Sequence, residues 1–334
     1  MYAAGSKRAS AGPRILVVRL GAMGDIIHAL PAVATLKHSF PQSRIAWAVD
    51  PKWAALLDGN PFVDRLIPME RRTLAGLRKA WRDLREERFD FAVDFQGLLK
   101  SALVASVARP DRIYGFHQAQ LRERAAALIY SSKVMARMEH VVDRNLELAR
   151  SAGATSILHA FPLPAGIAEG ELPAGDFVLA GPLAGWLAKQ WPLEYYGILA
   201  RRLRQELGLP LVLNGPPGSG TVLSGVGDVH VHLSGVPGLI HATHMALGVV
   251  GIDSGPMHLA AALGKPGVAI FGPTNPERNG PYGDDFTVLR RPDAATSYKR
   301  RAEIASSMKE ISPEDVFLAL AARLSGHRQR AGCA

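Results

Sequence analysis

Cysteine is nearly absent from this sequence. The 334 residues include a single cysteine, Cys333, so the chain can form neither an internal disulfide framework nor a cluster of thiolate metal ligands. No apolar run approaches the roughly 18 to 20 residues that a membrane-spanning helix requires. Aromatic residues make up only 7% of the chain, and no helix-turn-helix, zinc-finger or RNP signature occurs. We therefore predict a globular protein of a reducing compartment that does not bind nucleic acid.

Several motifs of nucleotide and hydrolase chemistry are also missing. The sequence contains no GxGxxG, no GxxxxGK[ST] and no GxSxG, which argues against a dinucleotide fingerprint, a P-loop and an α/β-hydrolase. No Asp-x-Asp pair is present to hold a magnesium–diphosphate bridge, and no internal repeat is visible. One alternative metal site remains open, a zinc site formed by the histidines His230, His232, His241 and His244.

Positive charge is in excess. The formal net charge is +9 at pH 7, which favours anionic partners such as nucleic acid, acidic lipid headgroups or phosphorylated substrates. Segment 70–88, ERRTLAGLRKAWRDLREER, carries seven basic residues on a predicted amphipathic helix. Its apolar stripe is formed by Leu74, Leu77, Trp81 and Leu84. Two interpretations stay open for its basic face: a solvated surface, or a surface that faces an anionic ligand.

Strand and helix patterns alternate along the chain, which predicts a doubly wound α/β fold. The predicted strands are 14–20, 44–49, 65–67, 89–94, 112–115, 177–180, 211–213, 230–233, 249–252 and 267–271. The predicted helices are 26–39, 52–58, 70–88, one opening at Gln96, 141–151, 193–207, 239–246, one after Asp253 and 313–324.

The length of 334 residues suits two domains. We predict two Rossmann-like halves facing across a cleft. The predicted parts are a disordered leader at 1–13, an N-terminal domain at 14–160, a proline- and glycine-rich linker at 161–176, a C-terminal domain at 177–312, and a C-terminal helix and tail at 313–334. The leader is basic but lacks the apolar core of a signal peptide, which is consistent with a cytoplasmic protein.

Two strand-to-helix turns carry the candidate chemistry. Asp253 follows a short apolar strand and opens a helix, at the position where open α/β sheets bind ligands and helix N–H groups favour phosphate. Asp25 ends the turn GAMGD, whose glycines let a ligand approach the backbone. For each turn there is a plainer alternative, in which Asp25, Asp253 or Ser254 only caps a helix. The rival role for Asp25 is that of a general base.

Four motifs in this order resemble the bacterial lipopolysaccharide heptosyltransferases of glycosyltransferase family 9. They are RLGAMGDIIHALPA around Asp25, DFQGLLKS around Gln96, GPLAGWLAKQWP around Lys189, and GIDSGPMHLAAALGKPGVAIFGPTNP around Asp253. The resemblance extends from about Arg14 to the last helix. The segments MGDIIHALPA and WAVDPKW are more similar to the type I enzymes, which add the first heptose, than to type II.

The resemblance implies a GT-B fold and an inverting, metal-independent transfer of L-glycero-D-manno-heptose from ADP-heptose to Kdo-lipid A. No cofactor is implied, and the enzyme would be peripheral on the cytoplasmic face of the inner membrane, with the 70–88 helix near anionic headgroups. Asp25 would be the general base. Lys189 would neutralise the diphosphate leaving group, the role that a metal plays elsewhere. The other implied site residues are Asp253, Ser254, Gly255 and His258 on the donor side, and Gln96, Lys100 and Arg122 on the acceptor side.

Two departures from the family pattern concern the donor. The hydroxyl residues that often precede the diphosphate lysine are replaced by GPLAGW, and Gly218-Ser219-Gly220 stands where some members carry a glutamate. A family 9 transferase with another nucleotide sugar or acceptor, such as a type II or type III enzyme, is therefore the nearest alternative. The alternatives from other classes are a nucleotide-binding Rossmann protein or dehydrogenase and a basic nucleic-acid-binding module. The absent GxGxxG counts against the first of these.

Overall fold

We describe a computed structural model of the chain at residues 12–297 and 301–332. Most of the predicted leader, 1–13, and Cys333 lie outside these residues. Backbone contacts divide the chain into two compact units. The first contains residues 12–21, 28–138 and 142–162, and the second contains 22–27, 139–141 and the described residues from 163 onward.

The first unit is built on a six-stranded parallel sheet in the order β3-β2-β1-β4-β5-β6. Its strands are β1 (Arg14–Val18), β2 (Arg44–Val49), β3 (Arg65–Pro68), β4 (Phe91–Asp94), β5 (Arg112–Phe116) and β6 (Ser132–Val134). The helices that accompany them in the chain are α1 (Met23–Ser39), α2 (Leu74–Arg85), α3 (Leu99–Val107) and α4 (Val141–Ser151).

The second unit repeats this topology in the order β12-β11-β10-β7-β8-β9. Its strands are β7 (Val178–Gly181), β8 (Leu211–Gly215), β9 (His230–Leu233), β10 (Gly248–Ile252), β11 (Gly267–Phe271) and β12 (Phe286–Arg290). Its helices are α5 (Leu193–Leu207), α6 (Gly220–Ser224), α7 (Val236–Met245), α8 (Gly255–Ala262), α9 (Pro276–Asn279), α10 (Ser306–Lys309) and α11 (Pro313–Gly332).

The central strands form because they are short, nearly continuous apolar runs. All residues of β10 and β11 are buried, as are four of the five residues of β1, which is typical of parallel strands covered on both faces. In each sheet the chain starts on a central strand and the strand order reverses beside it, between β1 and β4 and between β7 and β10. Ligands of open α/β sheets bind at such a switch point, beyond the carboxyl ends of the strands.

The structure differs from the prediction in several short elements. Residues predicted as a helix at 52–58 form a 3-10 helix, Pro51–Leu57, which starts at the Asp50 cap and a proline. The short strands β6 and β12 lie at the sheet edges and were not predicted, because their mixed polar and apolar residues carry little periodic signal.

No helix in residues 12–297 and 301–332 is long and apolar enough to cross a membrane.

The predicted apolar stripe of the 70–88 helix is also corrected. In α2, Ala80 and Leu84 are the buried residues, whereas Leu74, Leu77 and Trp81 are 74%, 44% and 54% exposed. The helix packs through small residues and Leu84, so most of its apolar stripe faces outward.

The predicted linker has no regular structure but is held by side chains. Residues 155–176 contain no helix or strand. In the first unit, Thr35 Oγ1 accepts a hydrogen bond from the Leu158 N–H at 2.9 Å. In the second unit, Glu169 accepts one from the Gly235 N–H at 2.6 Å, and its carbonyl oxygen lies 2.5 Å from His232 Nε2. These contacts fix both ends of the connecting segment to the folded units.

A buried carboxylate organises the carboxyl end of β4. Asp94 is fully buried and accepts hydrogen bonds from the hydroxyls of Tyr130 and Ser101 at 2.7 and 2.8 Å. It also accepts from the backbone N–H groups of Gln96 and Gly97 at 2.9 and 3.3 Å. Burial raises the pKa of Asp94, and the four donors counteract only part of that effect. Asp94 thereby fixes the turn that places Gln96 at the sheet edge.

Candidate functional site

Asp25 lies in the first turn of α1, directly beyond the switch-point strand β1. Its Oδ2 accepts a hydrogen bond from the Ala22 N–H at 3.0 Å, while the Ala22 carbonyl accepts the first helical bond from Ile26 at 3.0 Å. Asp25 therefore sits at the third helical position and reaches back to the helix start, as the acidic member of a capping box does. This geometry gives Asp25 a structural role and keeps it half-buried at the sheet edge, so the capping role and the role of a base are compatible.

Gln96 joins the turn after β4 to the turn after β1. Its Oε1 accepts a hydrogen bond from the Leu20 N–H at 2.8 Å. Leu20 precedes Gly21, whose φ of +156° is unfavourable for other residues and where a Cβ would lie 2.8 Å from the Trp53 ring. The Gln96 amide is thus held between the two strands at the switch point.

Lys100 and Arg122 lie on two segments that are connected by a hydrogen bond and pack closely. The Leu99 N–H at the start of α3 donates to the carboxylate of Glu123 at 2.8 Å. At Gly97, whose φ is +69°, a Cβ would lie 2.6 Å from Leu121 Cδ2, so the two segments are closely packed. Both Lys100 and Arg122 are exposed. The structure therefore brings two exposed cations onto adjoining segments beside Gln96, where they can bind an anion.

An open pocket, which the sequence motifs did not indicate, lies in the same unit. Its volume is about 490 Å³, and it is lined by His117, Gln118, Ala119, Arg124, Ala125 and Leu128. Arg124 and His117 give it two basic side chains, while the side chain of Leu128 is 82% exposed. The basic run RERAAAL at 122–128 was the only sequence signal for this pocket.

In the second unit, Lys189 is carried by a loop that a tryptophan anchors. Trp191 is fully buried, donates from Nε1 to the Ile311 carbonyl at 2.8 Å, and stacks edge-on against Tyr196 at a centroid distance of 4.8 Å. Lys189 Nζ lies 4.6 Å from the centroid of the Trp186 ring, within the range of a cation–π contact. The buried Trp191 thus anchors the loop after β7 that carries Lys189.

Lys189 forms an ion pair with Asp253, which follows β10 across the switch point. Lys189 Nζ donates to Asp253 Oδ2 at 2.6 Å, and the side chains are 17% and 8% exposed. His258 Nε2 lies 3.7 Å from the other oxygen, Asp253 Oδ1. Burial by itself would raise the pKa of Asp253, but hydrogen bonding and charge from His258 and Lys189 together lower it to about 2. Asp253 is therefore ionised at neutral pH, and it holds the lysine in place.

The start of α8 offers further donors. Ser254 occupies the position before the helix, and Pro256 is in its first turn. The Ser254 side chain forms no cap hydrogen bond. Within the described residues, the buried hydroxyls of Ser254 and Thr274 have no hydrogen-bond partner. These residues follow the adjacent strands β10 and β11, and unpaired buried hydroxyls at a sheet edge indicate a ligand-binding position. Sequence reasoning did not single out Thr274.

The histidines do not form the alternative zinc site. His232 Nε2 lies 2.5 Å from the carbonyl oxygen of Glu169, and His244 Nε2 lies 3.1 Å from that of Pro164. No group of three or more potential ligands among His, Cys, Asp and Glu occurs in residues 12–297 and 301–332. The rings instead bind two carbonyls of the connecting segment.

A family comparison agrees with this arrangement of motifs. The sequence profile described as glycosyltransferase family 9 (heptosyltransferase) matches residues 77–309. The chain belongs to this family. It is therefore a glycosyltransferase of the heptosyltransferase type, as the sequence motifs predicted.

The chain is similar to individual members of the family over most of their length. The chain is 30% identical to lipopolysaccharide heptosyltransferase 1 of Escherichia coli (strain K12), covering 84% of this chain and 94% of that protein. It is 31% identical to lipopolysaccharide heptosyltransferase 1 of Pseudomonas aeruginosa, covering 81% of each. Among solved structures, the E. coli ADP-heptose lps heptosyltransferase II is similar, with a TM-score of 0.77, 25% identity and coverage of 94% of this chain and 99% of that one. The GT-B fold predicted from the sequence is confirmed.

The ion pair generates a pH-dependence prediction. The pKa of Asp253 is about 2 in the folded protein and near ~3.9 for an unfolded aspartate. Because folding favours the ionised form, this stabilisation is complete well above pH ~4 and is lost as the pH falls through about 2. The total is on the order of 2–3 kcal/mol, of which about 1 kcal/mol is lost at pH ~3. Asp253→Asn lacks this electrostatic stabilisation. The difference in the free energy of unfolding between wild type and variant should therefore be smaller at pH 3 than at pH 6.

Urea unfolding at the two pH values measures this difference in the free energy of unfolding. Asp58→Asn, at an exposed carboxylate, is the matched control, and its difference from wild type should be the same at both pH values. A difference for Asp253→Asn that does not change with pH would show that the ion pair does not contribute to stability.

Proposed function

We propose that this heptosyltransferase transfers L-glycero-D-manno-heptose from ADP-heptose to Kdo-lipid A with inversion at the anomeric carbon. The observation that carries this proposal is the similarity at 30% identity to a lipopolysaccharide heptosyltransferase 1 across 94% of that relative. The relative's name supports a lipopolysaccharide acceptor. ADP-heptose as the donor is supported by the name of the similar type II enzyme, 25% identical.

The proposed donor site is the switch point of the second unit. A diphosphate would compete with Asp253 for the ammonium group of Lys189, because both partners are anionic. Ser254 and Gly255 would add N–H groups from the start of α8, where an anion is favoured, and the unpaired hydroxyls of Ser254 and Thr274 would donate to the same ligand. Asp253, released from Lys189, would accept hydrogen bonds from sugar hydroxyls, and His258 would keep it oriented.

In the proposed reaction, Asp25 is the general base. Its carboxylate removes the proton from the acceptor hydroxyl as that oxygen attacks the anomeric carbon, and the bond from this carbon to the diphosphate breaks. The electron pair of the broken bond leaves with ADP. Lys189 stabilises the negative charge that develops on the diphosphate, which is electrostatic stabilisation of the transition state.

The acceptor proposal rests on charge. Kdo carries a carboxylate and lipid A carries phosphates, so an acceptor site needs cations that remain accessible. Lys100 and Arg122 are exposed on fastened segments beside Gln96, which supports acceptor binding by these residues. Because this acceptor is a lipid, we also propose that the protein is peripheral on the cytoplasmic face of the inner membrane.

The choice of a type I rather than a type II reaction rests on two segments of the sequence. In WAVDPKW, the Trp53 ring lies close to Gly21, in the turn that leads to the second segment, MGDIIHALPA. Type II or type III transfer, and transfer of another sugar within family 9, remain the alternatives that an experiment must separate.

A transfer assay tests the proposal. Purified protein is incubated in EDTA with ADP-heptose and either Kdo-lipid A or its mono-heptosylated form, and the products are weighed by mass spectrometry. We expect Kdo-lipid A to gain the mass of one heptose with release of ADP, and the heptosylated acceptor to remain unchanged. Transfer only to the heptosylated acceptor would replace type I by type II, and loss of transfer in EDTA would refute the metal-independent mechanism.

Asp25→Asn tests the base without removing the helix cap, because an amide oxygen can also accept the hydrogen bond from Ala22. We expect kcat to fall by about 10²-fold or more, the usual size of a general-base contribution, while the Kd for ADP stays within twofold of wild type. The exposed Asp58→Asn is the control. An Asp25→Asn enzyme that keeps most of its kcat would exclude Asp25 as the base.

Lys189→Ala tests the diphosphate contact. Hydrogen bonds to charged groups contribute about 1.5–3 kcal/mol, so the Kd for ADP should rise by about tenfold or more. Isothermal titration calorimetry measures this change, with the exposed Lys133→Ala as the matched control and urea unfolding to show that both variants are folded. An unchanged Kd in folded Lys189→Ala would refute the role in diphosphate binding.

A further inference from the structure

Buried polar groups connect the carboxyl ends of β8 and β9 in the second unit. Asn214 and His232 are paired across the two strands and are 7% and 0% exposed. Asn214 Nδ2 lies 2.9 Å from His232 Nδ1, 3.3 Å from the His232 carbonyl oxygen and 2.8 Å from Ser234 Oγ. The roles proposed above for Lys189, Asp253 and the start of α8 do not involve this network.

The hydrogen bonds fix which atom of the Asn214 amide faces β9. The His232 carbonyl oxygen can only accept, so the amide atom opposite it is the nitrogen. The same nitrogen faces His232 Nδ1, which therefore accepts, and the ring proton is on Nε2. That Nε2–H donates to the carbonyl oxygen of Glu169 at 2.5 Å. The connecting segment thus sets the tautomer of His232, and the tautomer supports one orientation of the Asn214 amide.

This orientation leaves the amide oxygen of Asn214 unused. Asn214 Oδ1 accepts no hydrogen bond within residues 12–297 and 301–332. It is not among the enclosed side-chain atoms of those residues that lack a partner, so a ligand can reach it. Because the nitrogen and oxygen of an amide point apart, Oδ1 faces away from β9. The strand on the other side of β8 is β7, which leads to the loop of Lys189.

Glu169 places a second acceptor at the same edge. Its Oε2 accepts a hydrogen bond from the Gly235 N–H, just before α7, at 2.6 Å. Its Oε1 accepts none from the part of the chain that the structure describes. A cap of α7 needs only one carboxylate oxygen, and the main chain of Glu169 is held as well, by His232. One oxygen of a firmly positioned carboxylate is therefore left for a ligand.

A pair of acceptors fits a ligand that carries a pair of donors. The two neighbouring hydroxyls of a ribose are such donors, whereas the negative charge of a phosphate is disfavoured beside a carboxylate. A metal ion is disfavoured as well, because no group of three or more potential His, Cys, Asp or Glu ligands occurs in the described residues. The edge formed by β8 and β9 therefore matches the ribose of a nucleotide.

The local sequence does not provide the usual carboxylate for a ribose. In dinucleotide-binding units, an acidic residue about 20 residues further along the chain accepts a hydrogen bond from a ribose hydroxyl. Residues 207–227, which contain β8 and the turn after it, include no Asp or Glu. Glu169 instead brings a carboxylate to this edge from the connecting segment, a placement that no sequence pattern indicates.

The two acceptors lie next to the proposed diphosphate site. Ala180 of β7 pairs with Leu213 of β8, so the residues that follow them, Gly181 and Asn214, are neighbours about 4.8 Å apart. A Cβ on Gly181 would lie 2.9 Å from Pro256, in the first turn of α8. Asn214 is thus one strand away from the helix start that would bind the diphosphate, and in a nucleotide the ribose follows the diphosphate directly.

We propose that Glu169 Oε1 and Asn214 Oδ1 bind the two ribose hydroxyls of the donor nucleotide, and that His232 is a positioning residue for Asn214. The site thereby favours ribonucleotides over deoxynucleotides. The inference rests on the proposed function only for the class of donor, a nucleotide sugar. It is independent of the base and of the sugar that this donor carries.

Isothermal titration calorimetry tests the proposal with ADP and dideoxy-ADP, in which both ribose hydroxyls are replaced by hydrogen. Wild type should bind ADP at least about tenfold more tightly, the usual effect of a hydrogen bond to a charged group. In Glu169→Gln the amide oxygen still accepts from the Gly235 N–H, but the atom that faces the ribose is no longer an acceptor. This variant should bind ADP about tenfold more weakly and dideoxy-ADP as wild type does.

Three further variants complete the experiment. Asn214→Ala and His232→Leu should also lose part of the preference for ADP, and urea unfolding shows whether they are folded. A histidine with a merely structural role would change both affinities by the same factor. Glu171→Gln, at an exposed carboxylate of the same segment, is the matched control and should keep the preference of wild type.

Equal affinity of wild type for ADP and dideoxy-ADP would overturn the proposal, and so would a preference that Glu169→Gln keeps. A Glu169→Gln variant that binds both nucleotides more weakly by the same factor would leave Glu169 only as a cap of α7. Wild type that binds none of ADP, GDP and UDP would overturn the ribose site as well.

The two proposals can fail separately. Heptose transfer by wild type, with variants that keep the wild-type preference for ADP, would leave the proposed function in place and remove the ribose contacts. Binding of UDP or GDP instead of ADP, with a preference over the dideoxy form that Glu169→Gln loses, would replace the proposed donor and leave the ribose site in place.

Discussion

The buried carboxylate of Asp253 is the constraint on which the second unit's sheet edge depends. A buried charge without a partner is costly, and here two basic side chains from different elements meet it. Lys189 reaches it from the loop after β7, and His258 reaches it from α8. The loop can supply the lysine because Trp191 anchors it in the core. The pair therefore connects the segments that follow the two switch-point strands.

The first unit has a carboxylate at the corresponding strand, with the opposite electrostatics. Asp94 ends β4, and Asp253 follows β10; each strand is the fourth in its own sheet and borders the first. Both carboxylates are buried, yet the pKa of Asp94 is raised and that of Asp253 is lowered. The difference lies in the partners, because Asp94 is surrounded by neutral hydroxyl and N–H donors whereas Asp253 faces His258 and Lys189. The Asp94 carboxylate thus fixes a turn through neutral donors, whereas the Asp253 carboxylate holds a cation.

The sequence predicts the central part of this architecture well and its periphery poorly. The apolar runs of β1, β10 and β11 are unambiguous, and the turns at Asp25 and Asp253 follow because Gly and Ser-Gly-Pro end a strand and start a helix. The edge strands β6 and β12 are short and mixed in polarity, so their pairing is decided by neighbours that the local sequence does not encode. The same limit explains Thr274 and the His117–Arg124 pocket, which are recognisable only when separate segments are brought together. The zinc alternative was wrong because His232 and His244 bind carbonyl oxygens of the connecting segment. That segment has no helical or strand periodicity, so the sequence does not predict where it packs.

In α2 the packing differs from what the sequence pattern predicts. Periodicity identified Leu74, Leu77, Trp81 and Leu84 as one stripe, and such a stripe normally faces the core. In the fold only Leu84 and the small Ala80 do so. Leaving two leucines and a tryptophan exposed forgoes the burial that normally stabilises a helix in its domain. Helical periodicity therefore identifies which residues share a face of α2, but not which face the neighbouring elements cover.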